Sequence, residues 1–163
     1  MSKYHLAELN VAELKAPLDS PMLKDFVDNL DRINALADAS PGFVWRLQGE
    51  GNDATGLRPM GEKIIVNFSV WTDVENLRNY VYKTVHVEIL KRKREWFHRM
   101  TMPHVLWWVP AGYIPTVAEA VAKLELLRTK GPSADAFHFG EIYSAPDAHD
   151  ANAPTTFPDA CPA

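Results

Sequence analysis

Apolar and polar residues alternate along four short stretches of the chain, and a period of two residues is typical of half-buried β-strands. These stretches are residues 4–11, 43–47, 63–71 and 105–109. The third is the most regular, because Ile64, Val66 and Phe68 fall on one face and leave the intervening residues on the other. The pattern therefore predicts four strands, and the second and third form an antiparallel hairpin around a glycine-rich loop at 49–61.

Two other stretches repeat their apolar residues every three to four positions, which predicts amphipathic helices. The first begins at Ser20-Pro21, where an N-cap residue precedes a proline at the first helical position, and it ends before Ser40. The last helix begins at Thr116, which forms a capping box with Glu119, and it ends at Lys130-Gly131-Pro132.

The central segment from Trp71 to Trp108 holds four of the five tryptophans and three of the six histidines. Thr72 followed by Glu75 predicts a second capping box, so a helix should begin there. A largely apolar stripe then recurs at helical spacing through His86, Leu90, Lys93 and Phe97. A histidine on such a stripe is more often a core residue with one hydrogen-bond partner than a ligand or a base.

The order β-α-β-β-α-β-α predicts an α+β, ferredoxin-like fold with an antiparallel sheet. Helices would cover one face of the sheet. The other face carries aromatic side chains, including either Trp107 or Trp108, and would pack against a second copy in a dimer. Phe137 to Tyr143 would add a short edge strand. We assign residues 1–144 to this domain and the Pro/Ala/Asp-rich residues 145–163 to a disordered tail.

Composition narrows the range of functions. A chain of 163 residues with 47% hydrophobic content suits one globular domain, and a formal net charge of -4 argues against nucleic-acid binding. The chain has neither an apolar run long enough to cross a membrane nor a signal-peptide pattern at its N-terminus. Cys161 is the single cysteine, so no intrachain disulfide can form. We therefore expect a soluble cytoplasmic protein.

Several kinds of site are disfavoured by the motifs. The sequence contains no HExxH motif, no paired cysteines and no G-x-S-x-G, so we expect no metal site and no serine-hydrolase chemistry. Loop 49–61 is glycine-rich but lacks a Walker pattern, which favours a hairpin loop over a phosphate cradle. The basic run 91–94 favours a solvated helix face, because Glu88 precedes Arg92 by four residues.

Residues 96–139 contain a more specific combination of motifs. These are Trp96-Phe97, the strand Leu-Trp-Trp-Val-Pro, Pro-Thr before the last helix, and Gly-Pro followed by Ala-Phe-x-Phe. Together they resemble the family known as domain of unknown function 3291, and the likeness extends over residues 4–143. That family is placed among the dimeric α/β barrels, which include antibiotic-biosynthesis and haem-degrading monooxygenases. The resemblance implies a homodimer and an oxidoreductase, although one fold can support many reactions.

A finer resemblance to the haem-degrading and quinol-oxidising branch implies particular site residues. Asn10 corresponds to an asparagine at the end of the first strand, and Trp71 to a tryptophan at the end of the third. Tyr80 corresponds to an aromatic residue in the following helix, and His86 to a histidine further along it. Compared with those proteins, one extra residue separates Glu8 from Asn10 in this chain, and such an insertion would turn the asparagine to the opposite face of the strand.

Two functional hypotheses follow. The first is a small-molecule enzyme of the monooxygenase type, with no cofactor or with haem, that acts on a planar aromatic or polyketide-like substrate between the sheet and the helices. His86 would be a base or a haem ligand, and Asn10 would hold the substrate or oxygen. The pocket wall would consist of Trp71, Tyr80, Trp96, Trp107 and Trp108. The second hypothesis is a non-catalytic ligand-binding or stress-related dimer, in which the same residues are core.

Overall fold

The computed structural model describes residues 2–83 and 86–148, and for residues 83, 86 and 87 it describes the backbone alone. Its strands are β1 (Tyr4–Leu14), β2 (Phe43–Arg46), β3 (Ile64–Trp71), β4 (Phe97–His98) and β5 (His104–Pro110). Its helices are α1 (Lys24–Asp38), α2 (Val74–Lys83), α3 (His86–Lys91), α4 (Lys93–Trp96) and α5 (Val117–Lys130). Within the described ranges, no helix has the length and apolar character required to cross a membrane.

The strands form one antiparallel sheet in the order β2-β3-β1, with β5 and β4 both on the far side of β1. The central strand β1 pairs with β3 from Leu6 to Glu13 and with β5 from Tyr4 to Asn10. Its last two residues pair with β4. Each strand-helix-strand unit thus spans a neighbouring strand, which is the ferredoxin-like arrangement. The predicted fold class is confirmed.

The two faces of the sheet have different covers. Leu6 on β1 packs with Ile33 from α1 and Leu77 from α2, while Ala7, the next residue of the strand, points to the opposite face. This opposite face was expected to be free of helices, but α5 packs against it through the buried side chains of Ala120, Leu124 and Leu127. The reason derived from the sequence for a dimer therefore no longer applies. The homodimer stays a prediction that depends on the family resemblance.

The helix starts were predicted with mixed success. Thr116 caps α5 as expected, because its hydroxyl accepts a hydrogen bond from the backbone N–H of Glu119 at 3.1 Å. The cap predicted at Thr72 is wrong by one residue. The Asp73 carboxylate instead accepts from the backbone N–H of Asn76 at 2.8 Å, so the helix begins one residue later. Ser20 is followed by a 3₁₀ turn at Pro21–Leu23, and the α-helix begins only at Lys24.

The helical stripe predicted through the central segment is interrupted. Helix α4 ends at Trp96, and Phe97 has extended backbone dihedrals as the first residue of β4. It pairs with Leu14, so the last residues of β1 gain a sheet partner that a continuing helix would not supply. The Phe97 ring packs edge-on against Phe26 at 5.0 Å between ring centroids. Its burial thus arises from the sheet rather than from a helical face.

The chain after α5 makes fewer regular contacts than predicted. In place of an edge strand at 137–143, Phe137 forms an isolated bridge with Leu106 through two backbone hydrogen bonds of 2.7 and 2.9 Å. Asp147 binds the N-terminal end, because its carboxylate accepts from the backbone N–H of Lys3 at 2.7 Å and from the Ser2 hydroxyl at 2.9 Å. The predicted tail beyond residue 148 lies outside the described residues.

Candidate functional site

A cavity of about 180 Å³ lies between the sheet and the helices on the face of β1 that carries Glu8. Strand β1 supplies Glu8 and Asn10 to its lining, and α2 supplies Tyr80. Further lining residues that matter for its chemistry are Ser69, Trp71 and His104. The cavity is therefore a partly open space with a mainly apolar lining, in which aromatic walls are combined with polar and charged groups, and this is a general form of small-molecule sites.

Glu8 is the most unusual residue of this cavity. The side chain is buried in the middle of β1, where its backbone partners are Ser69 on β3 and Leu106 on β5. Burial raises the pKa of the carboxyl group from 4.5 to about 7, and the hydrogen bond from Asn10 opposes this change only partly. At neutral pH the group thus exists in both protonation states, as an acid-base catalyst requires.

The raised pKa of Glu8 has a consequence for stability. Because folding favours the protonated form, this group stabilises the fold fully below pH 4.5 and loses that contribution as the pH rises through about 7. The difference between 4.5 and about 7, at about 1.4 kcal/mol for each pH unit, gives a loss of about 3.5 kcal/mol. We expect Glu8→Gln to remove this loss. In urea denaturation, the free energy of unfolding of the variant should therefore rise relative to that of the wild type from pH 5 to pH 8. An unchanged pH dependence would contradict the assignment.

Asn10 lies on the same side of the sheet as Glu8. Its side-chain amide nitrogen donates a hydrogen bond to the Glu8 carboxylate at 3.2 Å, which two residues on one strand face can do. The extra residue noted in the sequence thus leaves the two side chains together rather than on opposite faces. Asn10 therefore orients the carboxyl group and lines the cavity beside it.

Two aromatic residues form the wall next to Glu8. Trp71 and Tyr80 stack at 5.1 Å between ring centroids, and Phe43 packs edge-on against Trp71 at 5.5 Å. The indole N–H of Trp71 donates to the Ser69 hydroxyl at 2.9 Å, so the ring is fixed in position. Burial raises the pKa of Tyr80 well above its ordinary value, which keeps the phenol neutral. The wall is thus a fixed, uncharged aromatic surface.

His104 lines the cavity from β5, directly opposite Asn10 in the sheet. Burial lowers the pKa of the imidazole to about 3, with a further contribution from nearby His138. The ring is therefore neutral at physiological pH. Its Nε2 atom accepts a hydrogen bond from the backbone N–H of Phe139 at 3.3 Å, while Nδ1 is buried with no hydrogen-bond partner among the described residues.

The glycine-rich loop between β2 and β3 contributes one side of the cavity through residues 53–55. Arg46 anchors this loop, because its buried guanidinium donates to Asn52 and also to the Asp38 carboxylate at 2.7 Å. The segment is thus the hairpin connection that the sequence predicted, and it is tied to the end of α1. A planar guanidinium with several partners suits this role better than a lysine would.

The remaining tryptophans that the sequence offered for the pocket wall do not line this cavity. Trp107 lies on the face covered by α5, where its indole N–H donates to Glu119 at 2.9 Å. Trp96 packs against Phe26 in a separate cluster. Trp108 donates its indole N–H to the Tyr143 carbonyl at 2.8 Å and is absent from the lining. Consecutive tryptophans on a strand point to opposite faces, so they do not share one pocket.

His104, the buried histidine of the cavity, is not available as a haem ligand. Because Nε2 of His104 accepts the Phe139 N–H, its lone pair is occupied and the neutral ring carries its proton on Nδ1. The side chain of His86, the histidine predicted for this role, lies outside the described residues. No group of three or more metal-ligating side chains occurs within the described ranges. We therefore derive no step through haem.

Glu8 and His104 were not among the site residues predicted from the sequence. One signal for Glu8 was present, because it shares a strand face with Asn10, although alternation with apolar residues predicts a half-buried strand and therefore a carboxyl group in water. Its burial comes from the helices that cover both faces of β1 in the structure. His104 carried no comparable signal, since its burial depends on the segment around Phe139, 35 residues later.

The comparison with protein families gives one match. The model of the family described as Domain of unknown function (DUF3291) matches residues 5–153, most of the chain. The chain belongs to this family. The DUF3291 membership and the ferredoxin-like topology confirm the resemblance drawn from the sequence. No curated protein matches the chain at a significant level.

Solved structures resemble this DUF3291 protein in fold only. SnoaB, a cofactor-independent oxygenase from Streptomyces nogalater, is 18% identical, with 69% of this chain and 98% of that chain covered and a TM-score of 0.44. A dabb family protein with a ferredoxin-like fold from Mesorhizobium loti is 15% identical, with 69% and 98% covered and a TM-score of 0.41. Similarity at this level carries no argument about activity.

Proposed function

We propose that this DUF3291 protein is a small-molecule enzyme of the monooxygenase type, which acts on a planar aromatic or polyketide-like substrate in the cavity. One observation carries the proposal: the buried Glu8 carboxyl group, with a pKa of about 7, lines a cavity with aromatic walls. A buried carboxyl group without a charged partner destabilises the fold at neutral pH, so its retention is better explained by chemistry than by packing.

The cavity walls favour a flat and largely apolar substrate. Trp71 and Tyr80 present fixed rings, and neither carries a charge that a polar ligand would need as a partner. An aromatic substrate ring gains most from such a wall, because ring contacts add to the area removed from water. Asn10 and Ser69 leave polar atoms near the carboxyl group, where a substrate hydroxyl would be oriented.

The chemical step begins with a proton transfer. The Glu8 carboxylate takes the proton of a substrate hydroxyl group, and the resulting anion is electron-rich at the ring carbons. Such a carbon gives electrons to dioxygen and forms a carbon–oxygen bond. The C–H bond at that carbon and the O–O bond then break, which leaves a carbonyl group there. The leaving oxygen takes up the hydrogen from the carbon as a proton, together with the proton that Glu8 returns, and departs as water. The sum is substrate plus dioxygen to quinone plus water, with dioxygen as the oxidant.

Oxygen uptake tests the proposal. A panel of hydroquinones, hydroxynaphthalenes and anthrones is mixed with the purified protein, with the corresponding methyl ethers as matched controls. We expect at least one free hydroxyl compound to consume dioxygen and form a quinone in equal amounts, while its methyl ether, which has no proton to give, consumes none. If panel compounds bind but no oxygen is consumed, the non-catalytic binding hypothesis replaces the proposed function.

A further inference from the structure

We infer that the substrate carries a carboxylate group, which Arg94 and Lys93 bind at the open end of the cavity while the reacting hydroxyl group meets Glu8. This inference rests on the proposed function, because it concerns the same cavity and the same hydroxyl group. It narrows the substrate class to planar hydroxy acids in which the two groups lie at opposite ends of the molecule.

The cavity opens toward the end of β1. Glu8 and its partner Ser69 on β3 are both buried. In the next row of the same face, Asn10 is half-buried and its partner Asn67, which also lines the cavity, is exposed. A strand rises about 3.3 Å per residue, so the lining extends about 13 Å along β1 from Glu8 to Ala12. Glu8 therefore lies at the inner end, and the mouth lies near the end of the strand.

Helix α4 lies at this open end. Its last residue, Trp96, is fixed next to the end of β1, because its backbone carbonyl accepts a hydrogen bond from the backbone N–H of Lys15 at 2.9 Å. The first two residues of the helix, Lys93 and Arg94, both line the cavity and are half-buried. The structure therefore places two basic side chains at the mouth of the cavity.

The basic run 91–94 does not form one solvated face in the structure. Arg92 binds the nearby acids, with ion pairs to Asp25 at 2.9 Å and to Glu95 at 2.8 Å. The side chain of Arg94 has neither an ion pair nor a hydrogen bond among the residues that the structure describes. A guanidinium group at the mouth of a cavity suits a carboxylate, because its N–H groups match the two carboxylate oxygens.

Two observations orient Lys93 toward the interior. Ile89 and Leu90, about one helical turn earlier, also line the cavity, so the three residues share the inner side of the segment. Burial is the main reason why the pKa of His104 is lowered to about 3, and repulsion from His138 and Lys93 adds to it. Solvent screens charges that point outward, so this influence places the Lys93 ammonium group near the inner wall.

Acidic side chains of the lining leave the Arg94 guanidinium without a counter-charge. Within the described part of the lining, these acids are Glu8 and Asp53. Glu8 lies at the inner end, and the Asp53 carboxylate accepts a hydrogen bond from the backbone N–H of Thr55 at 2.8 Å in its own loop. The mouth therefore favours a negatively charged group. Two fused rings with the hydroxyl and carboxylate groups at opposite ends, together with the long arginine side chain, cover the distance to Glu8.

Two hydroxynaphthalenes that differ in charge test the inference. The probes are 6-hydroxy-2-naphthoic acid and its methyl ester, titrated by calorimetry at neutral pH, where the acid is ionised and both keep their hydroxyl proton. We expect the wild type to bind the acid about tenfold more tightly at low ionic strength, as one charge-assisted pair predicts. The preference should decrease when salt is added, because salt screens the pair.

Matched variants separate Arg94 from the overall charge of the protein. Arg94→Gln should lose most of the preference for the acid, and Arg94→Lys, which keeps the charge, should retain part of it. Arg99→Gln removes the same charge from an exposed residue that does not line the cavity, and it should retain the whole preference. All three variants should bind the ester within a factor of about two of the wild type.

The outcomes distinguish this inference from the proposed function. Equal binding of both probes by the wild type overturns the inference and leaves the proposed function standing. The same holds if Arg94→Gln retains the full preference, weakens both probes equally, or loses no more of the preference than Arg99→Gln. If the wild type binds neither probe, the inference and the proposed function both fail. The wild-type comparison and its salt dependence decide the matter even where a variant does not fold.

Discussion

Replacing Glu8 by glutamine is expected to lower turnover of any oxidised panel compound by about 10²–10⁴-fold, the usual contribution of one positioned acid-base group. Glutamine has nearly the same size and still accepts the hydrogen bond from Asn10, but it cannot take a proton. The wild-type rate should rise as the pH increases through about 7, because only the carboxylate form is a base. That rise should be absent from the residual activity of the variant.

The measurement is initial oxygen uptake across a series of pH values, with the wild type and two variants at equal concentration. Glu13→Gln is the matched control, since Glu13 lies on the same strand and does not line the cavity. It should keep the wild-type rate and pH profile. A fully active Glu8→Gln variant would assign the base to another residue, and His86, whose side chain lies outside the described residues, would be the next to replace.

Replacing Trp71 by alanine is expected to cost about 3–5 kcal/mol of the free energy of unfolding, as for other large aromatic residues in a core. The side chain is 1% exposed, stacks on Tyr80 and donates a hydrogen bond to Ser69, so its removal leaves a void and unpairs a buried hydroxyl. The loss is a large share of the stability of a typical domain. Binding of planar ligands should weaken too, because one wall of the cavity disappears.

Chemical denaturation checks the stability, and Trp107 provides the matched control. It is equally buried but lies on the face covered by α5, so Trp107→Ala should be similarly destabilised. The milder pair Trp71→Phe and Trp107→Phe, in which folding is easier to retain, is used for ligand titration. Only Trp71→Phe should change the affinity for 5,6,7,8-tetrahydro-2-naphthol. Equal effects of both substitutions on affinity would mean that Trp71 acts through stability alone.

The ferredoxin-like fold could be predicted from the sequence because the patterns that mark its strands and helices are local. Alternation over 63–71 and the cap at Thr116 depend on neighbours within a few residues, and the structure has both elements where these patterns placed them. The cap at Thr72 failed for a related reason. Asp73 is an equally good cap one position later, and two competing side chains differ too little for the pattern to decide between them.

The sequence did not predict which element packs against the second face of the sheet. The apolar stripe of α5 shows that the helix buries one side, but it does not show which surface receives that side. The structure places Ala120, Leu124 and Leu127 against the face that the sequence left for a partner subunit. The same topology separates Trp107 from Trp108 and leaves Trp71 with Tyr80 as the cavity wall.

The sequence by itself determined four of the five strands in the described residues, most of the helices, the family and the presence of a polar pair, Glu8 and Asn10, on one strand. Only the tertiary structure decided how deeply that pair is buried and what surrounds it. The pKa of Glu8 depends on the helices that exclude water from it, and the proton position on His104 depends on a backbone N–H from a segment 35 residues later. Desolvation and long-range hydrogen bonds are properties of groups brought together by folding, so no local pattern encodes them.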